Sequence, residues 1–304
     1  MTGGAGGRRI GRRTLLTAGL AGAAGAGLGI GTGLSLDART STDDGPRSAA
    51  GSDERSGTVR PGPVVRDTFV SAARGGVATR WSLIRPPDVV GPLPLVVALH
   101  GHGGSTDALL AEPWDLPGAL ARAVSVDGVA PFAVATVSGG TTFWHERPWG
   151  EDAGAMVLDE LLPILLARDD VLVEPIGMLG WSMGGYGVLR LAALLGPGRV
   201  AAVVASSPGL YDDPARAHPN GFADEAEYAR FSVMGRQGDL AGIPVRVDIG
   251  TEDPFFAATK AYVDGFAPQA DIESHYSQGG HEIGYTRRVM PGELAWLGER
   301  VGRE

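Results

Sequence analysis

From residue 78 onward the chain alternates between two hydrophobic patterns. Short apolar runs at 78–84, 93–99, 131–137, 176–179, 201–205, 245–249 and 272–277 have the length and composition of strands. The near-continuous runs, such as Leu95-Val96-Val97-Ala98-Leu99, suit strands buried on both faces. Between them lie segments with apolar residues at helical spacing: 115–125, 154–167 (Met156, Leu158, Leu161, Leu162, Leu165), 186–195, 257–265 and 292–301. Alternation of this kind predicts an α/β fold, a mostly parallel central sheet with helices on both faces. Ligands bind such sheets at the carboxyl ends of the strands, so chemistry is sought in the loops that follow them.

The first 62 residues break this pattern. Residues 1–36 carry four arginines and no acid. Arg12-Arg13-Thr14-Leu15-Leu16 is a twin-arginine pair followed by a weakly hydrophobic Gly/Ala/Leu run. A basic start before a modest apolar stretch is the pattern of an export signal, and it predicts passage through the twin-arginine machinery to the cell envelope or beyond. The same run is long enough to serve as a retained membrane anchor. Residues 39–62 are rich in Ser, Thr, Asp, Gly, Pro and Arg and cannot bury enough surface to fold. The expected organisation is therefore a signal or anchor over 1–38, a flexible linker over 39–62 and a catalytic domain over 63–304.

Composition narrows the chemistry. Of 304 residues 43% are hydrophobic and 20% charged, enough apolar surface for a core. The absence of cysteine excludes a disulfide scaffold, a thiol nucleophile and Cys-type metal sites. A net charge of −9 argues against a nucleic-acid partner. His100-Gly101-His102 is a weak metal pattern without carboxylates beside it, so no metal and no cofactor is expected.

The strongest signal is Gly180-Trp181-Ser182-Met183-Gly184, set between an apolar strand and a helix of small and apolar residues. In that context Gly-x-Ser-x-Gly is a nucleophile elbow, a sharp turn that exposes the serine hydroxyl. Ser182 needs a base. Among six histidines, His281 follows the last strand and opens the last helix, and His275 within that strand is the fallback. The base needs an orienting acid, expected in the loop after the 245–249 strand. Asp253 is the first choice there, Glu252 the second, with Asp212 and Asp213 as an alternative position. The oxyanion hole takes one N–H from Met183. Its second comes from the Gly-rich loop after the 93–99 strand, at His102, with Gly101 and Gly103 as neighbours.

These residues carry a resemblance. Leu99-His100-Gly101-His102-Gly103-Gly104, the stretch from Gly180 to Gly187, Gly250-Thr251-Glu252-Asp253 and Gly279-Gly280-His281 resemble an α/β-hydrolase. More narrowly they resemble the esterase family that includes S-formylglutathione hydrolases and secreted mycolyltransferases. The resemblance spans roughly 64–304. It implies a triad of Ser182, Asp253 and His281, oxyanion donors at His102 and Met183, and hydrolysis of carboxylic esters. It also places the aromatic-rich segment 142–149 where that family carries one before a long helix. Trp144, Trp149 and Trp181 are the candidate substrate contacts, and core packing is the competing reading for the aromatic cluster. The long connection 207–242, with Tyr211, Phe222, Tyr228 and Phe231, is read either as a small lid or as a surface excursion. Two further functions share this sequence: an acyltransferase of the cell envelope using the same triad, and a non-catalytic envelope or binding protein on a hydrolase fold. The partner is an ester, either a small molecule or borne by the cell envelope.

Overall fold

The computed structural model describes residues 59–302. The twin-arginine segment and residues 39–58 of the expected linker lie outside the described residues. The elements run in order β1 (Val64–Ser71), β2 (Val77–Ile84), β3 (Leu93–Leu99), α1 (Thr106–Leu110), α2 (Leu116–Ser125), β4 (Ala133–Val137), α3 (Ala153–Ala155), a π-helical segment (Met156–Leu161), α4 (Leu162–Leu166), β5 (Val171–Trp181), α5 (Met183–Leu195), β6 (Val200–Ser206), α6 (Glu225–Phe231), β7 (Val245–Gly250), α7 (Phe256–Asp264), β8 (Ile272–Ser277) and α8 (Ile283–Gly298). The strands form one sheet ordered β1-β2-β4-β3-β5-β6-β7-β8. β1 and β2 are antiparallel to their neighbours, and the other pairs are parallel.

The alternation of side chains along β3 divides the core. Leu95, Val97 and Leu99 join the cluster on one face with Met156, Leu161, Val188 and Tyr262. Val96 and Ala98 join the cluster on the other face with Leu116, Leu120, Met290 and Leu297. Every residue of β4 is buried, as a central strand covered by helices on both faces requires.

Three elements depart from the sequence reading. β1 is absent from it because VVRDTFVS is mostly exposed and lacks a clean period; it is an edge strand held by its ladder to β2. β5 begins at Val171, five residues before the apolar run, because Leu172 and Glu174 are exposed and a register shift at Ile176 interrupts the pattern. α8 runs from Ile283 through Pro291, a residue that signals a helix break in sequence. The end of the expected linker is also packed: a Cβ on Gly62 would lie 2.1 Å from the Arg85 carbonyl oxygen.

The 207–242 connection is pinned. The buried Arg147 guanidinium pairs with Glu227 at 3.1 Å and donates to the carbonyls of Gly221 and Pro219. The Tyr186 hydroxyl donates to the Phe231 carbonyl at 2.9 Å. Phe222 packs edge-on against Tyr186, Tyr211 and Tyr228. These bonds favour the reading as a fixed excursion over that of a swinging lid.

Candidate active site

Everything the chemistry needs lies at the carboxyl ends of β3, β5, β7 and β8. β5 ends at Trp181, and Ser182 turns the chain into α5 with φ 56° and ψ −118°. That conformation is strained for a residue with a Cβ, and it lifts the hydroxyl out of the turn. The flanking glycines are obligatory. A Cβ on Gly180 would sit 2.1 Å from the Gly184 carbonyl oxygen, and one on Gly184 would sit 2.0 Å from that of Leu99. Backbone atoms cannot retreat from such contacts, so the turn closes only with glycine at both positions.

The acid and the base arrive on two loops that are zipped together. Thr251 donates its N–H to the Ser277 carbonyl at 2.9 Å, and Glu252 donates to Gly279 at 2.9 Å. Gly250 lets the two backbones meet, since a Cβ there would lie 2.1 Å from the Gly279 oxygen. This places Asp253 Oδ2 2.7 Å from His281 Nδ1, and His281 Nε2 2.8 Å from Ser182 Oγ. The other Asp253 oxygen accepts the Phe255 N–H at 2.9 Å, which fixes the carboxylate plane. Asp253 is buried while Glu252 is exposed. The alternatives for acid and base are occupied elsewhere. Asp212 pairs with Arg216 at the surface, Asp213 accepts the Ala215 N–H, and His275 bonds Glu273 at 2.6 Å. Asp248 is buried against Arg246.

Two aromatic rings hold the imidazole. Trp181 stacks on His281 with centroids 5.1 Å apart and planes 19° apart, and Phe255 meets it edge-on at 5.0 Å. Trp181 is therefore a support of the base. Trp144, expected to contact substrate, is fully buried; its ring packs over Gly139 and Gly187 and edge-on to His100. It is a core residue, because the space its indole fills is the space a side chain at either glycine would need. Trp149 is 61% exposed, beneath the Arg147 guanidinium and 3.3 Å from Glu151, so its contacts lie away from the triad.

The two candidate oxyanion donors lie on two elements. The Met183 N–H is the first of α5, one of the donors that a helix start leaves without an intrahelical partner. His102 lies in a turn closed by the Gly104 N–H to the Gly101 carbonyl at 3.0 Å. The imidazole of His102 faces outward and meets Asn220 Nδ2 at 3.1 Å through Nε2. Sequence reasoning missed His100. This ring accepts the Gly139 N–H through Nε2 at 2.9 Å, so its Nδ1 carries the proton and donates to the Gly101 carbonyl at 2.8 Å. It thereby anchors the Gly101–Gly104 loop to the loop that follows β4. The Gly101–Gly104 loop also needs its first glycine, since a Cβ at Gly101 would enter the Trp181 ring at 2.3 Å.

Burial drives the His100 imidazole down to about 4. Burial and the nearby arginines drive His145, whose Nε2 lies 2.7 Å from the Gly221 carbonyl oxygen, down to about 3. Both rings are neutral when folded and protonate once exposed by unfolding. Their stabilisation is complete above the ordinary value of 6.5 and is lost as pH falls from there towards about 4 for His100 and about 3 for His145. The expected slope is about 1.4 kcal/mol per pH unit for each ring. Urea midpoints measured across this window check it, and His100→Gln should remove about one proton from the dependence.

Residues 83–296 match the family described as Putative esterase. The chain belongs to that family. Its sheet order, elbow and triad geometry are those of an α/β-hydrolase, and the protein is a serine ester hydrolase. Among solved structures it is similar to a ferulic acid esterase, with a TM-score of 0.67 at 18% identity over 78% of this chain and 98% of the other. An S-formylglutathione hydrolase from Agrobacterium tumefaciens superposes with a TM-score of 0.64 at 19% identity, covering 79% and 95%. A fluorophosphonate-binding serine hydrolase of Staphylococcus aureus gives 0.63 at 15% identity, covering 79% and 99%. At these identities the likeness is one of fold. No curated protein matches the chain in sequence.

Proposed function

We propose that the chain hydrolyses carboxylic esters through an acyl-enzyme on Ser182 and that it acts outside the cytoplasm. The observation that carries the first part is the unbroken chain of bonds from Asp253 through His281 to Ser182 Oγ, at 2.7 and 2.8 Å. In this reading His281 takes the serine proton as Ser182 attacks the ester carbonyl. The Met183 and His102 amides receive the developing oxyanion, a stabilisation of roughly 3–4 kcal/mol per donor. His281 returns the proton to the departing alcohol. Water, activated by the same imidazole, then cleaves the acyl-enzyme, while Asp253 holds the imidazolium throughout. A fluorophosphonate probe should form one adduct, located by peptide mass on Ser182. An adduct on another serine, or none, would overturn the assignment.

Export is supported by Arg12-Arg13 ahead of Leu15-Leu16 in an acid-free stretch. Changing both arginines to lysine should leave the protein in the cytoplasm, as fractionation and immunoblotting would show. Unchanged export of the double-lysine variant would mean that another signal is used.

A further inference from the structure

Next to the elbow lies a cavity lined by residues of β3, α1, α2, β5, β6 and α8. Its volume is about 20 Å³. Most of the wall is apolar, with Leu109, Trp114 and Met290 among its residues. Four wall residues carry buried polar atoms: Trp181 Nε1 and Thr286 Oγ1 have no hydrogen-bond partner, while the Ser206 hydroxyl bonds the Glu293 carboxyl. Their convergence follows from the fold. Trp181 and Ser206 are direct register partners on parallel strands, so their side chains leave the sheet on the same face. Thr286, Met290 and Glu293 are spaced along one face of α8.

We propose that this cavity holds an ordered water bonded by Glu293, Thr286 and the Trp181 indole N–H, with Ser206 bonded to Glu293, and that Glu293 acts through the water as a positioning residue for His281. The inference rests on the reading of Ser182 and His281 as nucleophile and base. A volume of 10–15 Å³ on this measure admits one water, which makes up to four hydrogen bonds. Buried polar atoms left unpaired cost roughly 1–3 kcal/mol each, so a water that satisfies Trp181 Nε1 and Thr286 Oγ1 is strongly held. Glu293 is 1% exposed, and burial beside the charge of Asp248 raises its carboxyl well above the usual range, so it is protonated and can donate. The charged groups facing it are Asp248 and Arg246 of β7, paired with each other at 2.6 Å, with Glu273 of β8 beyond Arg246.

The consequence reaches the site through one ring. The Trp181 indole fills the space over Gly101 in the oxyanion loop and stacks on His281. Fixing its N–H fixes the rotation of that ring, and so the surface against which the imidazole swings between Ser182 and the leaving group. Errors of about 1 Å in such placements are known to cost up to about a hundredfold in rate.

Glu293→Gln keeps a donor and an acceptor at the cavity, whereas Glu293→Leu removes both. In the full chain, Glu293→Leu is expected to lower kcat roughly tenfold with KM within roughly twofold, while Glu293→Gln keeps kcat within roughly twofold. Infrared difference spectra of wild type against Glu293→Gln should show the C=O band of a protonated carboxyl at neutral pH. If Glu293→Leu does not fold, Thr286→Val, which removes one partner of the water, and Ser206→Ala, which removes the bond that holds Glu293, should each lower kcat several-fold while staying folded at the assay temperature. A wild-type kcat in the leucine variant, or in both smaller variants, overturns the positioning role. Absence of the band, or a glutamine variant as slow as the leucine one, overturns the neutral carboxyl. The infrared band does not depend on turnover, and fluorophosphonate labelling of the wild type tests the nucleophile separately, so the two readings fail in different measurements.

Discussion

Ser182→Ala is expected to lower kcat by about six orders of magnitude while leaving the fold intact. The hydroxyl is the one atom that bonds the substrate carbon, and its hydrogen-bond partner in the structure is His281 Nε2 at 2.8 Å. Alanine fits the elbow, because the contacts that close the turn are made by Gly180 and Gly184 and by the backbone of Ser182 itself. The Ser182 N–H donates to the Ser206 carbonyl at 3.0 Å, and its carbonyl accepts from Gly209 at 2.8 Å. Both bonds survive in the variant. Initial rates on a p-nitrophenyl ester, beside a thermal unfolding curve, check the result. A folded variant that kept a hundredth or more of the activity would place the nucleophile elsewhere.

The second large effect separates two adjacent carboxylates. Asp253→Asn is expected to cost up to about four orders of magnitude in turnover. Its Oδ2 receives the Nδ1 proton of His281, and its Oδ1 receives the Phe255 N–H. An asparagine held by the Phe255 bond presents its amide N–H to Nδ1. That selects the tautomer with the proton on Nε2, which cannot accept the proton of Ser182. Glu252→Gln should stay within about twofold of wild type, because Glu252 is exposed and its contribution to the loop is its backbone N–H to Gly279. Steady-state kinetics on both variants decides between them. A reversed ranking would assign the acid to Glu252, and equal small losses would remove it from this loop.

How the site could be read before the fold depends on how local each part is. The elbow is legible because its constraints lie within five residues: two glycines, a serine, a strand before and a helix after. The order of the elements places His281 and the 250–253 loop at the same sheet end, since parallel strands all deliver their following loops to one side. The choice between Asp253 and Glu252 is not local. It depends on the bond from Glu252 N–H to Gly279 across two loops, which turns one side chain inward and its neighbour to solvent. The same holds for the tryptophans. Trp144 and Trp149 stand five residues apart in one aromatic segment, yet one fills the space above Gly187 and the other lies at the surface.

The sequence by itself determined the α/β architecture and singled out Ser182 as the candidate nucleophile and His281 as its candidate base. Each follows from hydrophobic period, strand–loop order or a short motif, which are properties of neighbours along the chain. Only the tertiary structure decided which acid turns inward, that His100 ties Gly101 to Gly139, and that Trp181 stacks on His281. It also brought Glu293 of the last helix next to the elbow, more than a hundred positions away in the chain. Those assignments rest on the burial and orientation of side chains from segments far apart in sequence. Packing sets both, and the order of residues along the chain does not record it.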